Sequence, residues 1–122
     1  DNLASQVVHA LAENRLAGNK AVVGQDADLE ACQRIVEGTQ IMTVYKPVDK
    51  LARRAAEYAV MMAKGEEIPL EEAIIIENGR YEIPYVALEP VSVTKENINE
   101  VIINSGFHLK EDVYLNVPEQ MP

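Results

Sequence analysis

The sequence predicts an α/β fold, a parallel sheet with flanking helices, and three observations carry that expectation. Two short apolar runs, residues 20–24 and 40–45, are rich in β-branched side chains. Each is followed by a segment whose apolar residues recur at helical spacing, and a further helical pattern precedes the first. Helix and strand therefore alternate over the first 65 residues, the pattern of a parallel sheet. Right-handed crossovers set the two strands near one another with their carboxyl ends on one side.

Each element has its own warrant. Leu3, Val7, Val8, Leu11 and Ala12 line one face, so residues 3–16 read as an amphipathic helix that Gly18 stops. Lys20–Gly24 is a short Val-rich run, hence a buried strand. Asp28 suits the N-cap of a second helix over Leu29–Glu37, closed by Gly38. Gln40–Tyr45 is the next strand, with β-branched residues and a closing aromatic. Pro47 falls at the first position of a long helix reaching Ala63, where its missing N–H costs nothing. Leu51, Ala55, Ala59 and Met62 form its apolar stripe, and Ala52, Ala56 and Ala59 keep its surface thin enough for close packing.

Lys64-Gly65 ends that helix, and residues 66–71 read as an acidic loop around Pro69. The Glu66-Glu67 and Glu71-Glu72 pairs are a solvated acidic face. Ala73–Ile76 makes another buried strand, and Asn78-Gly79 marks a turn. Tyr85–Val93 is extended but interrupted by Pro90, which removes a ladder donor and makes the segment an edge or a crossing. Thr94 caps a last helix carrying Glu96, Ile98, Val101 and Ile102, followed by Gly106-Phe107-His108 and an acidic tail.

Composition narrows the function classes. At 122 residues the chain is one domain in length or a piece of a larger protein. It is 48% hydrophobic, enough for a core, and no window approaches the roughly 20 apolar residues of a membrane span. Twenty acidic against 11 basic residues give a net charge of −9, a surface that repels phosphate backbones. No nucleic-acid partner is expected. The single Cys32 excludes an internal disulfide, leaves the redox compartment open, and stands at helical spacing with Leu29, Ile35 and Val36 as a buried structural thiol. His9 and His108 have no Cys or His neighbours at metal-ligand spacing, so no metal site is expected. There is no starting Met and no signal peptide, so the chain reads as processed, truncated or cut from something longer. No nucleophile stands near a base, and no Gly-rich phosphate loop or spaced pair of catalytic carboxylates occurs. Neither an enzyme nor a cofactor is expected.

The chemistry concentrates in two runs, Gly24-Gln25-Asp26-Ala27-Asp28 and Thr43-Val44-Tyr45-Lys46-Pro47. Each sits where a strand ends and a helix begins, the place where open α/β sheets bind ligands. The carboxylate of Asp26 can accept hydrogen bonds from two adjacent hydroxyls, and the ammonium of Lys46 can donate three. Together they would satisfy a neutral, hydroxyl-rich ligand without burying a net charge. Spacing alone leaves other readings open: Asp26 caps the following helix, and Lys46 is a surface lysine or pairs with Asp26. Tyr45 stands beside Lys46 where it could wall a pocket.

A resemblance adds to this. The runs Ala21–Leu29 and Gly38–Pro47, with Asn78-Gly79, Ile83-Pro84, Leu88–Ile98 and Gly106-Phe107-His108, resemble the C-terminal part of the periplasmic D-xylose-binding proteins. These are type I periplasmic sugar-binding proteins that feed ABC transporters. The resemblance implies a partial, C-terminal portion of the type I periplasmic binding protein fold. It also implies that Asp26 and Lys46 contact a monosaccharide, D-xylose or a similar aldopentose. It implies hinge closure of two lobes around that ligand, an ABC permease as membrane partner and an extracytoplasmic location, periplasmic or anchored at the cell surface. Two alternatives share the fold: a sugar-sensing subunit for a membrane histidine kinase, and the effector domain of a lactose-repressor-type regulator.

The family carries an Asn-Asp pair at the start of the first helix; Asp1 matches its second member, and the sugar-contacting asparagine is absent. By the same resemblance, residues 1–45 are a portion of the C-terminal lobe and 46–87 pack in the N-terminal lobe. Residues 88–122 are then the hinge return with the C-terminal helix and tail. The crossings fall near Tyr45–Pro47 and Leu88–Val91. The apolar stripe of the long helix then lacks a partner, and exposed apolar area of that size promotes association. A missing N-terminal lobe or a companion chain is therefore an expected partner.

Overall fold

The computed structural model describes residues 1–69 and 73–122. The chain divides into two compact units, one of residues 1–46 with 90–122 and one of residues 47–89.

In the first unit, α1 spans Asn2–Glu13 and α2 spans Leu29–Glu37. The end of α2 follows from Gly38, whose φ of 88° is open to a residue without Cβ and lets its N–H and that of Thr39 return to the Arg34 carbonyl. Strand β1 is Thr43–Tyr45. Residues 22–26 run parallel to 41–44: Val23 pairs with Met42, and backbone bonds join Ile41 to Val22, Gly24 to Met42 and Asp26 to Val44. The expected first strand is thus a single bridged residue extended by three bonds. It is also not buried on both faces, since Val22 is buried and Val23 exposed.

On the other side of β1 lies β4, Val91–Val93, antiparallel, with Thr43 opposite Val93 and Tyr45 opposite Val91. The sheet is therefore mixed. Pro90 stands just before β4, where its missing N–H interrupts no ladder. The expected helical turns begin at Thr94, whose carbonyl accepts from the Asn97 and Ile98 N–H groups. The Asn97 side chain reaches back to accept the Thr94 N–H at 2.8 Å, and the helical turns widen into a π-helical stretch over Asn99–Ile103.

The acidic tail packs on the core. It forms a short helix α4, Lys110–Val113, and buries Val113 and Tyr114 in the core with Ala27, Cys32, Ile35, Val36, Tyr45, Val93, Ile98 and Ile102. Gln33 donates to the Asp112 carbonyl and Asn116 to the Glu37 carboxylate, which ties the tail to α2.

In the second unit, α3 is Val48–Ala63, with Pro47 at the N-cap, one place earlier than its expected first helical position. No residue of α3 is buried. Strands β2, Ile74–Glu77, and β3, Glu82–Tyr85, form an antiparallel hairpin pairing Ile74 with Tyr85 and Glu77 with Glu82. Its turn is the expected one: the Asn78 side-chain oxygen accepts from the Arg80 and Tyr81 N–H groups, and Gly79 takes φ 85°. The expectation of a buried strand at 73–76 is corrected, because every residue of β2 and β3 is exposed. Strand β3 escapes a reading from sequence because Pro84 lies inside it; a two-stranded sheet tolerates proline where a central strand would not. Glu66 and Glu67 are exposed; Glu71-Glu72 and the end of the expected 66–71 loop lie outside the described residues. No helix among the described residues is long and apolar enough to cross a membrane.

Candidate functional site

The site is the turn between the parallel run and α2. Gly24 and Asp26 are hydrogen-bonded to the neighbouring strand, and the chain then turns sharply at Asp26 and Ala27, which have φ values of 99° and 55°. Two successive side-chain-bearing residues in this region are strained, and such strain persists only where the surroundings over-determine it.

The surroundings do so here. The Ala27 N–H donates to the Thr43 hydroxyl oxygen at 3.2 Å, and the Asp28 N–H donates to Asp1 Oδ2 at 3.0 Å. The same Oδ2 accepts from the Thr43 hydroxyl at 2.8 Å, while Oδ1 accepts from Gln40 Nε2 at 3.0 Å. Gln40 is oriented in turn, its Oε1 accepting from Arg34 Nε and its Nε2 also donating to the Met42 carbonyl. One carboxylate thus gathers the start of α2, β1 and Gln40, which leads into β1. Gly24 makes the approach possible, since a Cβ there would lie 1.9 Å from Asp1 Oδ1. On the opposite side the Ala27 carbonyl accepts from His108 Nε2 at 2.8 Å and from the Cys32 thiol at 3.6 Å.

From this turn the Asp26 carboxylate meets the Lys46 ammonium at 2.6 Å, each side chain about half exposed. The structure brings the two expected site residues together. Of the local alternatives, the pairing of Lys46 with Asp26 is present and the capping of α2 by Asp26 is not. Asp28, not Asp26, holds the N-cap position of α2; its side chain makes no cap bond, and its own N–H donates to Asp1 Oδ2. The hydrogen bond from Lys46 holds the Asp26 carboxyl below its ordinary value of 3.8; desolvation opposes it, and the Lys46 charge adds a smaller lowering effect. Asp26 is therefore an ionised acceptor at neutral pH.

Tyr45 is 8% exposed and belongs to the core, so it backs the pair and does not wall an open pocket. Phe107 packs against it with ring centroids 4.7 Å apart, and His108 follows at 4.5 Å from Phe107. The Cys32 thiol is fully buried, and burial pushes it up to about 12, so it is a packing group. Among the described residues no group of three or more His, Cys, Asp or Glu is arranged to hold a metal ion.

Asp1, Thr43 and His108 were not singled out from sequence as parts of this site. Their contacts span 27, 16 and 81 residues, which no periodicity reports. Asp1, matched to the second member of the family's Asn-Asp pair, and the Gly106-Phe107-His108 run left a trace, each through the resemblance and not through its contacts. What the arrangement offers is an ionised acceptor and a triple donor side by side at the carboxyl ends of two parallel segments.

Fold and site together define a class of protein. Residues 1–67 match the model of the periplasmic binding protein domain, more than half of the chain, and the chain belongs to that family. It is 48% identical over 114 residues to the D-xylose-binding periplasmic protein of Haemophilus influenzae and 41% identical over 113 residues to that of Escherichia coli. Each of these alignments takes in 93% of this chain and 34% of the relative, so the chain spans about a third of the length of the curated relatives it matches. Among solved structures, an ABC transporter solute-binding protein from Clostridium phytofermentans with bound β-D-glucose superposes with a TM-score of 0.75 at 26% identity, over 93% of this chain and 35% of that one. The α/β fold is that of the type I periplasmic binding proteins, present in part.

Proposed function

We propose that this chain supplies one wall of the sugar cleft of an extracytoplasmic solute receptor for D-xylose or a similar aldopentose, serving an ABC transporter. The observation that carries the reading is the Asp26–Lys46 pair at 2.6 Å, half exposed, on a turn strained and held in place. An ionised carboxylate next to an ammonium group takes neutral vicinal hydroxyls well. The carboxylate accepts from two of them, the ammonium donates to a third oxygen, and the charges already balance. The identity to D-xylose-binding relatives supports xylose as the ligand.

In this reading residues 47–89 pack in the second lobe, and the two lobes close around the sugar by hinge motion. The closed form is what the membrane permease recognises. An aldohexose is the second reading, favoured by the β-D-glucose held by the Clostridium phytofermentans neighbour. Titration calorimetry of the full-length protein against D-xylose, D-ribose and D-glucose tests both. Tightest binding of D-xylose supports the first, tightest binding of D-glucose the second, and indifference to all three removes the proposal.

A further inference from the structure

We propose that His108 is a positioning residue for the Asp26–Lys46 pair: it pins the strained turn that carries Asp26, while Phe107 beside it supports Tyr45, the residue before Lys46. The inference rests on the sugar-binding reading above and deepens it. The Gly106-Phe107-His108 segment, far along the chain from both runs, reaches the neighbours of both site residues.

The turn needs holding on this side. Asp26 and Ala27 both have positive φ, and a turn of two such residues relaxes towards extended backbone unless its polar groups are fixed. Asp1 and Thr43 fix the N–H groups of Asp28 and Ala27. The Ala27 carbonyl depends on His108 Nε2 at 2.8 Å, its other donor being the Cys32 thiol at 3.6 Å, a weak one. Ala27 is wholly buried with the imidazole in place, so its carbonyl has no water of its own to bond and relies on that donor. An Nε2 facing a carbonyl oxygen must carry the proton, which fixes His108 as a donor. The Phe107 ring, in contact with Tyr45 and with the His108 imidazole, keeps that donor at its acceptor.

The test measures D-xylose affinity by calorimetry in the full-length protein and in His108→Leu, His108→Gln and Asp26→Asn, well below each variant's melting midpoint. Leu keeps bulk and removes the donor; Gln restores an amide N–H near the position of Nε2. The expected result is a five- to tenfold weaker affinity in His108→Leu and recovery to within about twofold in His108→Gln. The wild-type proton spectrum should also show a hydrogen-bonded imidazole N–H that His108→Leu lacks. Wild-type affinity in His108→Leu, or equal loss in His108→Gln, overturns the positioning role while Asp26→Asn still weakens binding. A wild type that binds none of the sugars, or one whose affinity Asp26→Asn leaves unchanged, overturns the sugar-site reading and this role with it.

Discussion

At the scale of single residues, Asp26 and Lys46 meet because two strand ends lie side by side, and the pair alters the chemistry of the acid. The Asp26 carboxyl is held below 3.8 chiefly by the Lys46 hydrogen bond. The folded-state value is depressed, so the interaction is fully present above the ordinary carboxylate range and is lost as pH falls through the lowered value. Lys46→Met is expected to raise the Asp26 titration towards 3.8, followed by carboxyl-carbon NMR. No rise on losing the ammonium would mean that the pair is not formed in solution. Gly24 has a different task, leaving room for the Asp1 carboxylate. Gly24→Ala displaces that carboxylate and its three hydrogen bonds, and urea unfolding should register a loss of about 1–3 kcal/mol. The two site residues were legible in the sequence because each follows an apolar run. The clamp around them was not, since a carboxylate reaching Gln40 across 39 residues leaves no pattern.

At the scale of elements, legibility followed local punctuation. Helix α2 was readable to the residue, because Asp28 and Gly38 bracket a strong amphipathic stretch and Gly38 takes the positive φ that ends it. The helical turns expected after Thr94 are present, but their widening into a π-helix over Asn99–Ile103 is not legible, because it shares the composition of an ordinary capped helix. The packing of the acidic tail left no pattern in the sequence, because its charges are conspicuous while Val113 and Tyr114, the residues that bury, are only two. Val113→Ala is accordingly expected to destabilise by about 2 kcal/mol in thermal or urea unfolding, a change a solvated tail would not give. Cys32 tests the packing of α2 independently. Its thiol is buried and pushed up to about 12, so iodoacetamide should modify it only on unfolding. Rapid labelling of the native protein would contradict the burial.

At the scale of the whole molecule, the two units differ in how they bury apolar surface. The first has a core drawn from both ends of its sequence. In the second, no residue of α3 is fully buried, and Ile74, Ile75, Ile76, Ile83 and Tyr85 of the hairpin are all exposed. Periodicity could identify the apolar stripe of α3 and the apolar run at 74–76, but not what covers them. Exposed apolar surface on this scale drives association. The 122-residue chain by itself is expected to sediment with a concentration-dependent mass, and a strictly monomeric chain at high concentration would contradict this. The central claim concerns the pair that this molecule presents at its sheet edge. Calorimetric titration of D-xylose into the full-length protein and into Asp26→Ala tests it most directly. The account predicts tight binding that falls roughly ten- to a hundredfold when the charged acceptor is removed; an affinity unchanged by Asp26→Ala would contradict it.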